Sequence, residues 1–251
     1  MSDLWKRLRF VLGCIIVYRI GTHIPIPGID PVRVSSLFDQ NQGTILELFN
    51  LFSGGALERM SIFALNVVPY ISAAIIMQLF SNAIPYLIEL KKEGQAGRNA
   101  ITQYTRYGTV ALAFVQASAL AVTLSSSGLA YKPGTSFFVT AVFTVVAGTV
   151  FLMWLGEQIS ERGIGNGISI IIATSILTGI PGAIGQALEQ ARQGDLNILM
   201  LLSIGVLAMV VIAIVVFIER GQRRITVNYA QRQQGRRLMQ AQASHLPFKV
   251  N

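Results

Sequence analysis

The fold is decided by residues 43–82, which read GTILELFNLFSGGALERMSIFALNVVPYISAAIIMQLFSN. The first apolar piece, Ile45–Phe52, is too short to cross a bilayer, and the Ser-Gly-Gly sequence after it permits a sharp change of chain direction. No residue between Arg59 and Glu89 is charged, which leaves room for the ~20 mainly apolar residues that a crossing needs. A short apolar helix, a hinge and a full span in this order predict a broken membrane element.

A broken element has a consequence for what surrounds it. Irregular backbone at membrane depth survives only where protein or a water-filled cavity encloses it, so residues 43–82 are expected to line a cavity. An amphipathic helix lying on the membrane surface before an ordinary span fits the same pattern. The periodicity alone leaves both interpretations open.

The composition of the whole chain indicates an integral membrane protein. Its 251 residues are 52% hydrophobic and only 13% charged, with a mean hydropathy of +0.55. Soluble domains carry about 25% charged residues. The net charge is +8, and the single cysteine, Cys14, excludes an intrachain disulfide.

The uncharged stretches predict an all-α polytopic protein with six transmembrane helices. The first span, Phe10–Ile20, contains Arg19, which is expected either to reach the interface or to pair inside the bundle. The second span is expected at 61–82 with a kink at Pro69, followed by a hydrophilic loop from Pro85. The remaining spans are expected near 108–125, 136–155, 167–185 and 197–218.

Basic residues are distributed unequally between alternate loops. Most of the 20 lysines and arginines lie in the N-terminal segment, in 91–106, at Arg162 and after residue 219. The other set of loops holds only Arg33, Arg59, Lys132 and Arg192. Because cytoplasmic loops carry the basic excess, both ends of the chain are expected in the cytoplasm.

No group of residues in the chain has the pattern of a catalytic, metal or cofactor site. The glycines of 163–167 lack the preceding strand and the following Lys-Ser/Thr of a phosphate loop. Cys14, His23 and His245 are too few and too scattered for a metal site or a nucleophile with its base. We therefore expect no enzyme.

Two pairs of branched aliphatic residues share helix faces. Val67 and Ile71 are four residues apart, and so are Ile168 and Ile172 at the start of the fifth span. Stiff apolar side chains that converge from several helices can close a hydrophobic constriction in a pore. Packing against lipid or neighbouring helices explains the same spacing.

The segment Glu219–Asn251 is strongly basic. Alternation of polar and apolar residues over 224–229 predicts a short strand there. It joins two basic clusters that suit an anionic partner such as RNA phosphate, although the cytoplasmic excess of basic residues explains part of the charge. The clusters are Arg220, Arg223 and Arg224, then Arg236 and Arg237.

Five long stretches in this order resemble the SecY family of bacterial protein-conducting channels, and the similarity extends over essentially the whole chain. They are RIGTHIPIPGID (19–30), FSGGALERMSIFALNVVPYISAAIIMQL (52–79), KKEGQAGRNAITQYTRYGT (91–109), WLGEQISERGIGNGISIII (154–172) and ERGQRRITVNYAQRQQGRR (219–237).

The resemblance implies a fold of ten helices in two halves related by inverted pseudo-symmetry. Residues 1–187 would be the first half, with five spans and a re-entrant plug helix at about 43–57. Residues 188–251 would be the sixth span and a basic cytoplasmic loop that opens a second half. By this resemblance the sequence ends at Asn251 where the family enters its seventh span, and the rest of the second half is absent from it.

The resemblance also implies roles for particular residues. Val67, Ile71, Ile168 and Ile172 match the pore ring, with Val67 where the family more often has isoleucine. The basic residues Arg220, Arg223, Arg224, Arg236 and Arg237 match the surface that binds the ribosome and the SecA motor. The plug would comprise Ile45, Leu46, Leu48, Phe49, Phe52, Ser53, Gly54 and Gly55.

The implied function is passage of unfolded secretory chains across the bacterial cytoplasmic membrane and release of hydrophobic segments sideways into lipid. The implied partners are SecE and SecG in the membrane, SecA and the ribosome with its RNA, and the secretory or nascent polypeptide. A secondary transporter, which also uses broken helices, and a scaffold subunit without a pore are the alternatives. A transporter needs polar groups at midspan, and few are evident besides Arg19 and Gln78.

Overall fold

The computed structural model describes residues 2–30, 33–36, 50, 53–193, 198–227, 233–234, 237–238 and 244–249. The chain forms two compact units, Met1–Ala183 and Ile184–Asn251. The assignment of 1–187 and 188–251 to two channel halves stays a prediction.

Helices dominate the chain, as the sequence predicts. Among the described residues, four helices are long and apolar enough to cross a membrane, namely α4, α5, α6 and α7, and a fifth crossing results if the bent pair α2–α3 is one span. Helix α1, with its four basic residues, is not among these, so six spans stay a prediction. The helices are α1 (Ser2–Gly21), α2 (Val68–Ala83), α3 (Pro85–Lys92), α4 (Gln95–Ser126), α5 (Thr135–Arg162), α6 (Gly167–Gln193) and α7 (Ile198–Glu219).

The predicted bounds of the second span are wrong. Residues 62–67 form turns, and α2 begins at Val68 with Pro69 in its first turn, so that proline starts a helix instead of kinking one. The first turn tolerates proline because its N–H groups have no partner within the helix. The loop predicted from Pro85 is also wrong, because Pro85 starts α3 after a bend of 93°.

Helix α4 packs against both α5 and α2, and it presents a row of small buried side chains. Five buried residues at four-residue spacing form this row, and small residues allow helices to approach closely within a membrane. They are Thr105, Thr109, Ala113, Ala117 and Ala121. The row ends in a core cluster that also contains Ile26, Leu124, Val142 and Val145.

A second core cluster joins α1, α5 and the start of α6. Its largest buried side chains are Tyr18, Leu152, Ile159 and Ile171. The backbones also approach closely here, because a Cβ atom on Gly167 would collide with the carbonyl of the α5 residue Gly156. This contact fixes where α6 begins relative to α5.

Segments that are distant in the sequence contact one another at two ends of the first unit. We call these the hinge end, which contains residues 53–59, and the basic end, which contains Arg7 and Arg106. At the hinge end, Pro25 pairs with Ser61 and Ile29 with Ala130 in isolated β-bridges. At the basic end, Arg7 donates to the carbonyl of Gly163 at 3.3 Å, and the Nε atom of Arg106 lies 2.7 Å from a carboxylate oxygen of Glu157. This grouping agrees with loops that alternate between two sides of a membrane.

Within the described residues, the second unit contains the end of α6, α7 and four short strands. Every described side chain of α7 is exposed. Strand β1 (Gln222–Val227) pairs antiparallel with β4 (Ser244–Lys249), and β2 (Gln233–Gln234) with β3 (Arg237–Leu238). The strand predicted over 224–229 is confirmed for 224–227 and begins two residues earlier, at Gln222, whereas residues 228–229 lie outside the described residues.

Candidate functional site

The four aliphatic residues predicted to form a constriction lie in one hydrophobic cluster. Val67 and Ile168 are buried, and Ile71 and Ile172 are half-buried against the same core. The two pairs are about 100 residues apart in the sequence, and the fold brings them together through the starts of α2 and α6. Their role as a pore ring stays a prediction.

The start of α2 places the first pair. Val67 is the N-cap residue, and its carbonyl accepts the backbone N–H of Ile71 at 3.0 Å. The turn before it is tight, since Asn66 has a φ angle of 48°, which is uncommon for a residue other than glycine. Val67 and Ile71 are therefore positioned where turn becomes helix.

The start of α6 places the second pair. The side-chain oxygen of Asn166 accepts the N–H groups of Ile168 at 3.0 Å and Ser169 at 3.3 Å. This is the ordinary capping of a helix N-terminus by a short polar side chain. The hydroxyl of Ser160 on α5 accepts the N–H of Gly167 at 2.8 Å, which ties the cap to the neighbouring helix.

Residues 53–59, which we call the hinge, follow the apolar part of the predicted plug helix. They are held by hydrogen bonds with one another and with Asn50. Asn50 donates through Nδ2 to the Glu58 carboxylate and accepts the Glu58 N–H, both at 3.0 Å. The Ser53 hydroxyl accepts the N–H of Leu57 at 3.1 Å. The plug residues Ser53, Gly54 and Gly55 are described within this hinge. The plug residues Ile45, Leu46, Leu48, Phe49 and Phe52 lie outside the described residues.

Helix α1 holds the hinge from the other side. The guanidinium of the half-buried Arg19 donates to the carbonyl of Gly54 at 3.1 Å. An N–H of Arg59 lies 2.9 Å from Nε2 of His23, whose Nδ1 lies 2.8 Å from the Arg19 carbonyl. In the tautomer that satisfies both contacts, Nε2 accepts and Nδ1–H donates.

A buried polar group beside the constriction was missed in the sequence. The hydroxyls of Tyr18 and Ser175 lie 2.5 Å apart, and Nδ2 of Asn66 donates to the Ser175 hydroxyl at 3.2 Å. These residues come from α1, the turn before α2 and α6. Their only sequence signal is that polar side chains inside membrane helices are expensive and tend to be functional.

The basic segment is described mainly through its backbone. Arg220 is exposed after α7, Arg223 and Arg224 lie in β1, and Arg237 lies in β3 opposite Gln234. Arg236 lies outside the described residues, and so do the side chains from 223 onward. The strand pairs thus place the basic residues on a small β-structure that follows α7.

Comparison with known proteins gives the family. The SecY family model matches residues 61–251. The protein translocase subunit SecY of Pseudomonas aeruginosa is 63% identical over all 251 residues, and that of Escherichia coli K12 is 58% identical over 255 aligned positions. The chain spans 57% and 58% of the length of these two relatives.

Solved channel structures share the fold. A protein-conducting channel has a TM-score of 0.69 at 20% identity, with 98% of this chain and 53% of the other covered. The channel of a canine ribosome–channel complex from the endoplasmic reticulum has a TM-score of 0.64 at 20% identity, with 88% and 49% covered. The fold and the family match agree: the chain is a multi-pass membrane protein of the SecY family.

Proposed function

We propose that this chain forms part of a protein-conducting channel that passes unfolded secretory chains across the bacterial cytoplasmic membrane and releases hydrophobic segments sideways into lipid. The observation that carries the proposal is the convergence of Val67, Ile71, Ile168 and Ile172 beside a braced hinge. The relatives over the whole length of the chain are named protein translocase subunits, and translocation moves a chain without changing its bonds.

The constriction supports the proposal through its chemistry. A narrow passage lined by branched aliphatic side chains expels water and so resists ions. The same side chains make only non-directional contacts, so an extended polypeptide of any sequence can displace them. A general secretory channel requires such a constriction, because it must exclude water at rest and admit polypeptides of any sequence.

The hinge supports a plug next to this seal. Ser53, Gly54 and Gly55 are held by α1 and by their own turn, so the chain that follows the apolar part of the proposed plug helix has a defined position. A related solved structure reports that the SecY plug domain stabilises the closed state of the channel and maintains a membrane seal. We assign the same part to residues 45–55 of this chain, with α2 as one wall of the lateral gate.

The distribution of charge supports the proposed orientation and partners. The basic end of the first unit and the basic segment after α7 would face the cytoplasm. Arg220, Arg223, Arg224, Arg236 and Arg237 would there bind the ribosome, including its RNA, and SecA by electrostatic attraction. SecE and SecG would bind within the membrane.

Crosslinking of a stalled secretory chain tests the function. The protein to use is the completed channel, which is this chain continued by the part of the Pseudomonas aeruginosa relative beyond the matched residues. A photoreactive amino acid at Ile71 or Ile172 should crosslink to a hydrophilic part of the stalled chain. The same amino acid at Leu177 on α6 or Phe143 on α5, both exposed, should not.

Each alternative function predicts a different result. A scaffold subunit gives no crosslink from any of the four positions. A transporter gives none with a polypeptide but binds a small solute in the same region. Equal crosslinking from all four positions would mean that the secretory chain passes elsewhere, and would contradict the proposal.

A further inference from the structure

Three buried polar residues contact one another beside the constriction. Tyr18 is 1% exposed, Asn66 is 3% exposed and Ser175 is fully buried. The Tyr18 and Ser175 hydroxyls are 2.5 Å apart, and Asn66 donates to the Ser175 hydroxyl at 3.2 Å. We call these three residues the clasp. They connect α1, the turn before α2, and α6.

The clasp also reaches the hinge. The Tyr18 hydroxyl lies 3.3 Å from the carbonyl oxygen of Ser53. Gly54, with a φ angle of +66°, is seated against Ser175, since a Cβ atom there would lie 3.1 Å from the Ser175 Cα and carbonyl oxygen. The hinge therefore packs against Ser175, one of the three clasp residues.

The hydroxyl protons permit two arrangements. In the first, Ser175 donates to the carbonyl of Ile171 at 2.9 Å and accepts from Tyr18. In the second, Ser175 turns its proton toward Tyr18, which is then free to donate to the carbonyl of Ser53. Each hydroxyl has one proton and two acceptor lone pairs, so Tyr18 donates mainly to one partner at a time.

The clasp lies directly next to two constriction residues. Asn66 precedes Val67 in the chain, and Ser175 follows Ile172 by three residues on the same face of α6. Any movement that separates α6 from α1 to widen the constriction must therefore break the contact between Ser175 and Tyr18. The same movement removes the support beneath Gly54.

We propose that the clasp is a latch that couples closure of the constriction to the seating of the plug hinge, an inference that rests on the proposed channel function. Tyr18 and Ser175 act as positioning residues and favour the closed state. In the open state each hydroxyl bonds to water instead. The equilibrium between open and closed channels therefore shifts only by the difference in free energy between the two sets of hydrogen bonds. A net contribution of about 1 kcal/mol corresponds to about a fivefold change in the ratio of open to closed channels.

The test is the resting ion conductance of the completed channel in planar bilayers. Tyr18→Phe removes only the hydroxyl and should raise the resting conductance about fivefold. Ser175→Ala should do the same, and the double variant should exceed neither single variant, because both remove one interaction. Tyr131→Phe is the matched control, since Tyr131 lies at the hinge end with its side chain 66% exposed, and should conduct like the parent.

The outcomes separate the latch from the channel function. A parent channel that translocates no secretory chain overturns the channel function, and the latch with it. If the parent translocates but both single variants conduct like the parent, only the latch is wrong. Independent effects that add in the double variant also contradict it. If neither single variant accumulates in the membrane, the hydroxyl pair is needed for folding and the latch is likewise overturned.

Discussion

Replacing Gly167 by alanine should destabilise the protein, because α6 begins in direct contact with α5. The added Cβ atom would collide with the carbonyl of Gly156 and lie 2.8 Å from the Cβ atom of Ile159. Two backbones must then move apart, and overpacking of this kind costs about 1–3 kcal/mol. The measurement is denaturant unfolding of the completed channel in detergent, followed by tryptophan fluorescence.

The control lies on the same helix. Gly182 has open space where its Cβ atom would be, so Gly182→Ala should not destabilise and should gain about 0.5–1 kcal/mol from a better helix former. The two substitutions are chemically identical and differ only in their surroundings. If Gly167→Ala and Gly182→Ala unfold at the same denaturant concentration, the close approach of α5 and α6 is refuted.

Two further predictions concern the N-terminal cap of α6 and the basic segment. Asn166→Ala removes the cap of α6 and should lower the free energy of unfolding by about 1 kcal/mol in the same unfolding assay, whereas an unchanged value would show that the cap is dispensable. Arg236→Glu with Arg237→Glu should weaken binding to ribosomes and SecA in a sedimentation assay, and parental binding should fall as salt rises. Arg192→Glu changes an exposed arginine in the last turn of α6 and should bind normally. Equal binding by all three proteins would leave the basic segment as a topology signal only.

The sequence predicts the elements that depend on long uniform patterns. Uncharged stretches locate α4, α5, α6 and α7 because a membrane crossing requires many apolar residues in succession. The four-residue spacing of Val67 with Ile71, and of Ile168 with Ile172, identifies two helix faces. The spacing alone does not show that the two faces meet in one hydrophobic cluster. That conclusion required the structure or the family resemblance.

The sequence does not predict features that depend on one residue and its tertiary contacts. Pro69 is compatible with a kink inside a span and with the first turn of a helix, and only the preceding turn with Asn66 decides between them. Tyr18 and Ser175 are 157 residues apart and share no periodic pattern. Their contact depends on how α1 and α6 meet, which local sequence does not encode.

The most direct test of the constriction is the ion conductance of the completed channel with no chain in transit. Ile71→Ser with Ile172→Ser places two hydroxyls where the structure has half-buried aliphatic side chains. We predict a higher resting conductance, because polar side chains let water fill a passage that aliphatic ones keep dry. Leu177→Ser with Phe143→Ser changes two exposed residues and should conduct like the parent. A parental conductance in the Ile71 and Ile172 double variant would contradict the claim that these side chains seal the channel.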